Sequence, residues 1–522
     1  MDFFSIILNF FGSLLFFILI FISAFLIKIY AGKSVGDRNY PPVLGTVFHQ
    51  LLYLGRLYDH QTQVAKKHPT YRLLAPDQSE VYTIEPRNIE HILKTNFDKY
   101  DKGEYHRTTL RDLFGHGIFI EDGENWKRQR KLASFEFSTR VLRDYSCAVF
   151  RTSAKKLVRI VANFSNAKQA FDMHGLLMRH GLDSIFKVGF GVDFNCMDGS
   201  SSEEGAKFIK AFDDANERVT LRYMDPFWKL KRILNIGPEA AFKRNIQIMD
   251  KFVRRLIQQK RQLLLEKQHS MEKEDILSRF LEASKKDPEQ MNDEYVKDIT
   301  LNFMLAGKDT TANAITWFIC CLCKNPIVQQ KIVQEVKQVM FNSGDDDDTT
   351  FDVDTFVDRL TNETIEKMHY LHAALSETLR LYPAVPVDGR SAMVDDILPD
   401  GYRVKKGDNV YYLAYAMGRM QSIWGEDAEE FRPERWLDNG VFRLESPSKF
   451  IAFHAGPRTC LGKEFAYRQM KIVAVALLYL FRFKLADEKK KVTYRPMLTL
   501  HIDGGLQVYA IPRINTEALN IF

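Results

Sequence analysis

Residues 453–462, with the sequence FHAGPRTCLG, form the stretch that decides the fold. Gly456 and Gly462 stand where a backbone needs unusual dihedral angles or approaches a flat ligand closely, and Pro457 stiffens the turn. The apolar periodic run at 463–480 that follows predicts a helix. Cys460 is therefore expected at the end of a tight loop, just before a helix begins.

Two features of this position favour the thiolate form of Cys460. The positive end of a helix dipole and the N–H groups of its first turn stabilise an anion, and Arg458 adds a positive charge two residues earlier. A thiolate held in this way is a soft ligand that suits axial coordination of a haem iron. The alternative is a structural thiol buried in a Gly/Pro turn, which is the commoner role of a single cysteine.

The spacing Phe-x-x-Gly-x-Arg-x-Cys-x-Gly is met at all of its five fixed positions. This spacing resembles the haem-binding signature of the cytochrome P450 family. The resemblance implies that Cys460 is the iron ligand, and that Phe453, Gly456, Arg458 and Gly462 belong to the loop that binds the haem. The family's other motifs are then expected elsewhere in the chain.

The composition excludes some other classes of protein. The chain has 522 residues, with 73 basic and 67 acidic ones, and its net charge of +6 is spread along the sequence. Since no Lys/Arg-rich block is present, we expect no nucleic-acid partner. The six cysteines show no paired zinc spacing, and we expect reduced thiols in a reducing compartment.

The N-terminal residues predict a membrane anchor. Residues 3–27 contain no charged side chain and are long enough to cross a bilayer. Basic residues follow this run, so the positive-inside rule places its C-terminal side in the cytoplasm. A cleaved signal peptide would have a basic start and a shorter apolar core, and an uncleaved anchor is the better interpretation. We expect an anchor over 1–28, a linker with a proline hinge over 29–45 and a catalytic domain over 46–522.

Trp126 and Arg130 lie four residues apart on a basic predicted helix and therefore share a face. An indole N–H beside a guanidinium can bind a carboxylate, although a solvated basic face is the plain alternative. The resemblance implies that both side chains hold haem propionates and that Arg390 is a further propionate contact. The neighbouring Lys127 and Arg128 would face an acidic reductase.

A periodic pattern from Asn292 to Lys324 predicts one helix of about 50 Å. Its middle reads AGKDTT over residues 306–311, where Gly and Thr weaken a helix and Thr can bond back to a carbonyl one turn earlier. A kinked core helix is the alternative. The stretch resembles the family's oxygen-activation motif, which implies space for O₂ beside the helix and a catalytic proton relay of Asp309 and Thr310.

Glu377 and Arg380 lie three residues apart on a predicted helix over 368–381, and Arg435 follows within FRPERW at 431–436. On a surface such a pair contributes little, whereas breaking a buried pair costs about 3–5 kcal/mol. The residues resemble the family's Glu-x-x-Arg pair and Pro-Glu-Arg element. The resemblance implies a structural network of Glu377, Arg380 and Arg435 that locks the scaffold behind the cysteine loop.

The resemblance extends from the anchor to about residue 512. It implies a mainly α fold with a small β region, a single-domain prism preceded by one transmembrane helix. Alternating patterns predict strands at 71–74, 81–84, 401–412 and 494–511. The acidic stretch at 344–350 is expected to be a solvated loop.

The substrate pocket is the least defined part of the sequence. We expect residues 101–120 to form an irregular, glycine-rich loop that supplies a pocket wall, with His116 as a turn residue. Arg107 or Arg111 is a candidate to hold a substrate carboxylate. The expected pocket-lining residues are Phe114, Ile118, Phe303, Ala306, Val385 and Leu498.

Several stretches look like plant members of the fatty-acid ω-hydroxylase clan, closest to the group that oxidises long-chain fatty acids for cutin and the pollen wall. They are ETLRLYPAVP at 377–386, AMGRM at 416–420, WGEDAEEF at 424–431 and FRFKL at 481–485. Related animal enzymes carry an acid that esterifies the haem where this chain has Ala306. Haem b (iron protoporphyrin IX) is therefore expected to be held by Cys460 and noncovalent contacts.

The resemblance implies a monooxygenase that uses O₂ and NADPH and acts by ω-hydroxylation of a long-chain fatty acid. Its electrons would come from NADPH–cytochrome P450 reductase, with cytochrome b5 as a further partner. The enzyme would be anchored in the lipid bilayer of the endoplasmic reticulum, with the catalytic domain in the cytosol.

Other functions are compatible with the same cysteine loop. A sterol or terpenoid hydroxylase is the main alternative substrate class. A haem-thiolate isomerase or dehydratase would need no reductase, and such enzymes usually lack the Asp309–Thr310 pair. A non-enzymatic haem protein or sensor is the third alternative, and the sequence shows no regulatory domain for it.

Overall fold

The protein was analysed as a computed structural model that describes residues 3–76, 78–266, 275–289, 291–341 and 352–513. The acidic stretch at 344–350 lies outside the described residues. The α-helices, in chain order, are Phe3–Tyr30 (α1), Leu57–Lys67 (α2), Pro86–Glu90 (α3), Gly103–Phe114 (α4), Gly123–Ser138 (α5), Arg140–Asn166 (α6), Met173–Phe190 (α7), Glu203–Leu221 (α8), Trp228–Leu234 (α9), Gly237–Glu266 (α10), Ile276–Lys286 (α11), Asp293–Lys324 (α12), Pro326–Met340 (α13), Val353–Asp358 (α14), Asn362–Glu366 (α15), His369–Leu381 (α16), Ala414–Met417 (α17), Gln421–Trp424 (α18) and Lys463–Leu480 (α19).

The strands are short and lie mostly near the two ends of the chain. They are Val43–Thr46 (β1), Thr70–Leu74 (β2), Ser79–Thr83 (β3), Tyr100–Asp101 (β4), Phe171–Asp172 (β5), Asp388–Ala392 (β6), Asp396–Ile397 (β7), Arg403–Val404 (β8), Asn409–Tyr412 (β9), Leu437–Asp438 (β10), Val441–Phe442 (β11), Phe481–Leu485 (β12), Tyr494–Pro496 (β13), Leu500–Ile502 (β14) and Gln507–Pro512 (β15). The prediction of a mainly helical protein with a small β region is confirmed.

The chain divides into two compact units, of which the first comprises Met1–Gly103 and Val387–Met417. Helix α1 of this unit contains the apolar span Asn9–Tyr30, the one helix of the described chain that is long and apolar enough to cross a membrane. The main sheet has the order β1-β2-β3-β9-β6-β4, and β2 pairs antiparallel with β3 from Thr70↔Thr83 to Leu74↔Ser79.

A buried arginine fastens the linker that follows α1 to the sheet of the first unit. Arg72 on β2 is 2% exposed, and its guanidinium donates hydrogen bonds to the carbonyls of Lys33 (2.7 Å), Ser34 (2.7 Å) and Pro41 (2.8 Å). Hydrogen bonds from a charged donor are stronger than neutral ones. They hold the linker after the anchor in one conformation.

The second unit comprises Glu104–Pro386 and Gly418–Phe522 and is built around α12. The side chain of Asn292 accepts a hydrogen bond from Tyr295 N and caps the start of α12. Helices α7 and α12 approach closely, since a Cβ on Gly307 would lie 2.4 Å from Ile185 Cδ1 and one on Gly181 would lie 3.0 Å from the carbonyl oxygen of Lys308. The glycine in the AGKDTT stretch is therefore required by helix packing.

One expectation about this unit is wrong. Residues 101–120 are not an irregular loop throughout, because 103–114 form the helix α4. Leu113 and Phe114 at the end of α4 are buried in the apolar core that α7, α8, α10 and α12 share. Burial of this apolar face stabilises the helix. The glycines on either side of it had indicated a loop instead. The irregular part is limited to residues 115–122.

Candidate active site

The cysteine loop has the tight geometry that its glycines predict. Gly456 has a φ of +66°, in the left-handed region, and His454 shares it with a φ of +64°. The loop closes on itself through a hydrogen bond of 2.8 Å from Cys460 N to the carbonyl of Phe453. Gly462 has an ordinary φ of −87° and precedes α19, which begins at Lys463 as predicted. The sulfur of Cys460 thus lies beside the N-terminus of a long helix.

Cys460 differs from the other five cysteines in exposure. Its side chain is exposed, whereas Cys147, Cys196, Cys320 and Cys321 are buried and Cys323 is intermediate; all six thiols are free. An exposed sulfur in a loop at a helix start can accept a ligand from one side. This openness argues against the structural thiol that was the alternative interpretation.

The electrostatics of the Cys460 thiol differ from the expectation of a spontaneously favoured thiolate. Its pKa is raised, because the close surroundings of the sulfur penalise the anion more than the N–H of Gly462 and the charges of Arg130 and Lys463 favour it. Although the side chain is accessible from one direction, protein surrounds the sulfur on the others. The thiolate form of Cys460 therefore needs a further positive charge to be favoured at neutral pH, which a coordinated metal ion would supply.

Trp126, Arg130 and Arg458 converge near the cysteine loop. The guanidinium carbon of Arg458 lies 4.4 Å from the centroid of the Trp126 ring, and Arg130 donates a hydrogen bond to the carbonyl of Thr459. Arg458 also donates to the carboxylate of Asp122 at 2.5 Å. A soft sulfur ligand flanked by an indole and two guanidinium groups is a donor set that fits a flat, iron-containing group with carboxylate substituents, such as haem.

Arg390 lies on β6 of the first unit. Its side chain is 1% exposed, and its guanidinium carbon is 6.0 Å from the centroid of the Phe97 ring. The side chain of Arg390 is therefore packed within the first unit. A propionate contact for Arg390 stays a prediction.

The hydroxyl of Thr310 bonds back along α12, as the sequence predicted. Its Oγ1 donates to the carbonyl oxygen of Ala306 at 2.5 Å, and both residues are partly exposed in a helix whose other residues are mostly buried. The Ala306 carbonyl, which would ordinarily accept only the backbone N–H one turn later in the helix, therefore also accepts a bond from a side chain. Ala306 is a small side chain one turn from Thr310, which leaves an accessible hydroxyl in the middle of α12.

Asp309 lies at the centre of a buried polar cluster. Its carboxylate is 0% exposed, lies 3.0 Å from Lys308 Nζ, accepts a hydrogen bond of 2.6 Å from Asn216 Nδ2 on α8, and is 3.7 Å from His501 Nε2 on β14. Burial opposes ionisation, yet Lys308 and His501 hold the pKa of Asp309 below its usual range. Lys308 also bonds to Asp213.

A second histidine extends this cluster. His174 on α7 lies with its ring centroid 5.6 Å from that of His501, and its Nε2 is 3.3 Å from Asn313 Oδ1, one turn after Asp309. Burial and the neighbouring His501 lower the pKa of His174 to about 4, so His174 is neutral at pH 7. Sequence reasoning found Asp309 but missed Asn216, His174 and His501, which lie far from it in the chain.

The predicted network of Glu377, Arg380 and Arg435 is present, and Glu377 also accepts hydrogen bonds from two further donors. Its carboxylate accepts two bonds from Arg380 at 2.7 and 2.8 Å and one from Arg435 at 2.9 Å. The indole of Trp436 (2.9 Å) and the backbone N–H of Arg432 (2.8 Å) complete the set. Glu377 is 0% exposed and Arg380 is 2% exposed, so this is a buried, fully bonded ion pair.

The residues expected to line a pocket do not form one group. Phe114 is buried in the apolar core, and Leu498 packs against that core. The ring of Phe303 instead packs against those of Phe137 and Phe280, at 5.5 and 5.7 Å between centroids. Val385 is 39% exposed, and the backbone of Ile118 accepts a bond from Arg458.

The two candidate carboxylate-binding arginines have other surroundings. Arg107 forms an ion pair with Asp122 at 2.8 Å. Arg111 lines a surface cleft of about 210 Å³ together with the acidic residues Asp250 and Glu294. Since an anionic substrate would meet carboxylates at both places, neither arginine is a suitable anchor for it. His116 is exposed in the turn, with its Nδ1 3.0 Å from Glu121 Oε1.

The accessible cysteine before α19, the cationic and indole donors around it and the Thr310 hydroxyl on α12 define a haem-thiolate protein. Comparison with known proteins gives the family: residues 39–507 match the family described as Cytochrome P450, and the chain belongs to it.

The relatives of this chain include plant proteins that match it almost throughout. Cytochrome P450 704C1 of Pinus taeda is 48% identical over 484 residues, covering 92% of this chain and 93% of the relative. Cytochrome P450 704B1 of Arabidopsis thaliana is 42% identical over 490 residues, covering 90% and 93%. Cytochrome P450 86B1 of Arabidopsis thaliana is 39% identical over 470 residues, covering 89% and 83%. The protein is thus a haem-thiolate monooxygenase, and its resemblance to plant members of the family is confirmed.

Proposed function

We propose that this cytochrome P450 hydroxylates the terminal carbon of long-chain fatty acids, with electrons from NADPH delivered by a membrane-bound reductase. The sequence resemblance to plant ω-hydroxylases supports the reaction type. The bound haem supplies the activation of O₂ that allows one oxygen atom to enter a C–H bond. The chain's own residues have to hold the substrate, exclude water and deliver protons.

The observation that supports an aliphatic substrate is a group of mostly apolar side chains packed beside α12. They are Leu182, Phe208, Ile209, Phe212 and Met304, together with Lys308, and the gap between them is too small to hold a water molecule. The positive charge of Lys308 is already matched by Asp213 and Asp309. An alkyl chain that enters between these side chains would meet apolar contacts, whereas a polar substrate would lose hydrogen bonds to water there.

Attack at the terminal carbon requires positional control. Primary C–H bonds are stronger than the adjacent secondary ones, so selectivity for the chain end has to come from geometry. A narrow apolar channel that presents only the end of the chain supplies it as a positioning effect.

Thr310 and Asp309 are proposed to carry protons to the distal side of the haem. The Thr310 hydroxyl gives its one hydrogen to the Ala306 carbonyl, so its oxygen can accept a hydrogen bond in this state, and it has to release the carbonyl before it can donate to another group. Asp309 is ionised, since Lys308 and His501 lower its pKa, and it therefore has to take up a proton before it can pass one towards Thr310. Hydrogen bonds from Asn216 and Lys308 hold its carboxylate in place.

The position in the cell is part of the same proposal. The span Asn9–Tyr30 would anchor the protein in the endoplasmic reticulum with the catalytic part in the cytosol. The basic face of α5, including Lys127 and Arg128, would meet the acidic surface of NADPH–cytochrome P450 reductase, and cytochrome b5 is a further electron donor.

The test is turnover in microsomes that contain the full chain and the reductase. With NADPH and a panel of C12 to C18 acids, we expect products oxidised mainly at the terminal carbon, identified by mass spectrometry. The Cys460→Ser variant at matched expression is the control for background oxidation. If no acid is oxidised and a sterol or terpenoid panel yields products, the substrate class proposed here is wrong.

A further inference from the structure

The segment 114–122 that follows α4 is fastened to α12 by two buried polar side chains. Asp298 Oδ2 accepts a hydrogen bond of 2.7 Å from the backbone N–H of His116. Asn302 Nδ2, one turn later, donates to the carbonyl of Phe114 at 2.9 Å and to its own helix at the carbonyl of Asp298 at 2.7 Å. Asp298 is 2% exposed and Asn302 is 0% exposed.

Two glycines allow this close contact. A Cβ on Gly115 would lie 2.0 Å from Asp298 Cγ, and one on Gly117 would lie 2.1 Å from Asn302 Nδ2. Real Cβ atoms do not approach this closely, so a side chain at either position would displace the segment or push the Asp298 or Asn302 side chain out of its hydrogen bonds. Gly115 also has a φ of +59°, which other residues rarely adopt.

The same segment is bonded to two further parts of the second unit. Gln129 Nε2 on α5 donates to the carbonyl of His116 at 2.8 Å, so the backbone N–H and C=O of one residue are both held by buried side chains. Arg458, two residues before Cys460, donates to the carbonyls of Ile118 (3.3 Å) and Glu121 (2.7 Å). The segment thus joins α12 to the cysteine loop.

We propose that Asp298 and Asn302 are positioning residues that determine where on the substrate chain oxidation occurs. They fix the segment 114–122, which carries Phe114 and Ile118, at one position along α12, on the N-terminal side of the Ala306–Thr310 turn. The inference rests on the proposed function, since it assigns to this segment the role of a wall of the substrate channel. Neither side chain touches the reacting atoms.

The physical argument concerns distance along one helix. Asn302 and Ala306 are one turn apart, about 6 Å along the axis, and the ends of the segment are bonded to α12 and to the loop that carries Cys460. A displacement of the segment by one ångström is comparable to the 1.3 Å or so by which successive carbons of an extended alkyl chain advance. Misplacement on this scale can cost about 100-fold in rate at the original carbon.

The first test compares Asn302→Leu, Asp298→Leu and Gly117→Ala with the wild-type enzyme in the microsomal assay. We expect haem content and the reduced CO spectrum to persist, while the ratio of terminal to in-chain products falls at least fivefold, as expected when about one hydrogen bond is lost. Gly55→Ala is the matched control, because nothing lies within 4 Å of a Cβ there. An unchanged product ratio in all three variants would overturn the proposal.

A double variant separates positioning from general damage. In Gly117→Ala the added methyl group meets the Asn302 amide, whereas in Asn302→Ala that amide is gone. Gly117→Ala is therefore expected to change the product ratio in the wild-type background and to have no further effect in the Asn302→Ala background. Additive effects of the two substitutions would contradict direct contact as the cause.

Hydrogen exchange gives a readout that needs no substrate. The N–H of His116 is bonded to Asp298, so its exchange in the haem-loaded enzyme should accelerate at least tenfold in Asp298→Leu and stay unchanged in Gly55→Ala. If exchange accelerates but the wild-type enzyme oxidises no fatty acid, the proposed substrate is wrong and the clamp is real. If exchange is unaltered, the clamp itself is refuted.

Discussion

Replacing Glu377 by glutamine tests the buried network behind the cysteine loop. The substitution preserves the size and shape of the side chain but removes its charge and turns one acceptor oxygen into an amide donor. Glu377 accepts five hydrogen bonds, two of them from Arg380 and one each from Arg435, Trp436 and the backbone of Arg432. In the variant, at least two N–H donors point at an NH₂ group.

The expected cost follows from these contacts. Each hydrogen bond to a charged group is worth about 1.5–3 kcal/mol, and removing one partner of a buried ion pair costs about 3–5 kcal/mol in other proteins. Since Glu377 and Arg380 are both buried, Glu377→Gln should lower the free energy of unfolding by about 3–5 kcal/mol. That is about a fifth or more of the 5–15 kcal/mol by which an ordinary domain is stable.

Urea unfolding of the solubilised protein measures the loss of stability, and the amplitude of the reduced CO spectrum measures haem incorporation. We expect both to fall in Glu377→Gln. Glu430→Gln is the matched control, because the Glu430 side chain is exposed and only its backbone carbonyl accepts a bond from Arg380. A loss below about 0.5 kcal/mol with normal haem content would refute the role of the network.

Two further substitutions test separate parts of the structure. Thr310→Ala should keep its haem but consume NADPH with less product and more released hydrogen peroxide. The control is Thr316→Ala, which loses an equivalent bond of 2.7 Å to the Ala312 carbonyl and should keep NADPH consumption coupled to product. Equal coupling in the two variants would contradict the proton-relay role of Thr310. Burial raises the pKa of Glu80 from 4.5 to about 7 despite a hydrogen bond from Tyr82. Between pH 4.5 and 7 the carboxyl group of Glu80 is therefore protonated in the folded protein but ionised in the unfolded chain. The free energy of unfolding consequently falls as the pH rises through this range. From pH 4 to pH 8 the wild-type protein should therefore lose about 3 kcal/mol more than Glu80→Gln in urea unfolding, and parallel pH profiles would contradict this assignment.

Local patterns in the sequence were sufficient for the elements that carry the chemistry. The apolar period over 463–480 predicted α19 at its observed start, and the cap and the Asn-Pro end predicted the bounds of α12. Both helices are long and periodic, so local propensity and tertiary packing favour the same structure. Helix α4 was missed because its flanking glycines resemble a loop and its stability comes from burial of Phe114.

Apart from the contact of Glu377 with Arg435, which the family resemblance implied, the contacts between distant residues were beyond sequence reasoning. Asp298, Asn302, Asp309 and Asn313 form a polar stripe at spacings of four and seven on α12, and this spacing is a signal that was readable in the sequence. Their partners, such as Asn216 and His501, follow only from the tertiary fold. The same holds for the raised pKa of Cys460, where the protein that surrounds the sulfur on all but its open side outweighs the helix terminus and the nearby cations.

Coordination of the haem iron by Cys460 is the central claim, and the spectrum of the reduced CO complex tests it most directly. The wild-type protein and Cys323→Ser, which changes a half-buried thiol outside the site, should both show the red-shifted Soret band of a thiolate-ligated haem. Cys460→Ser should lack that band. An unchanged band in Cys460→Ser would contradict the assignment of the iron ligand.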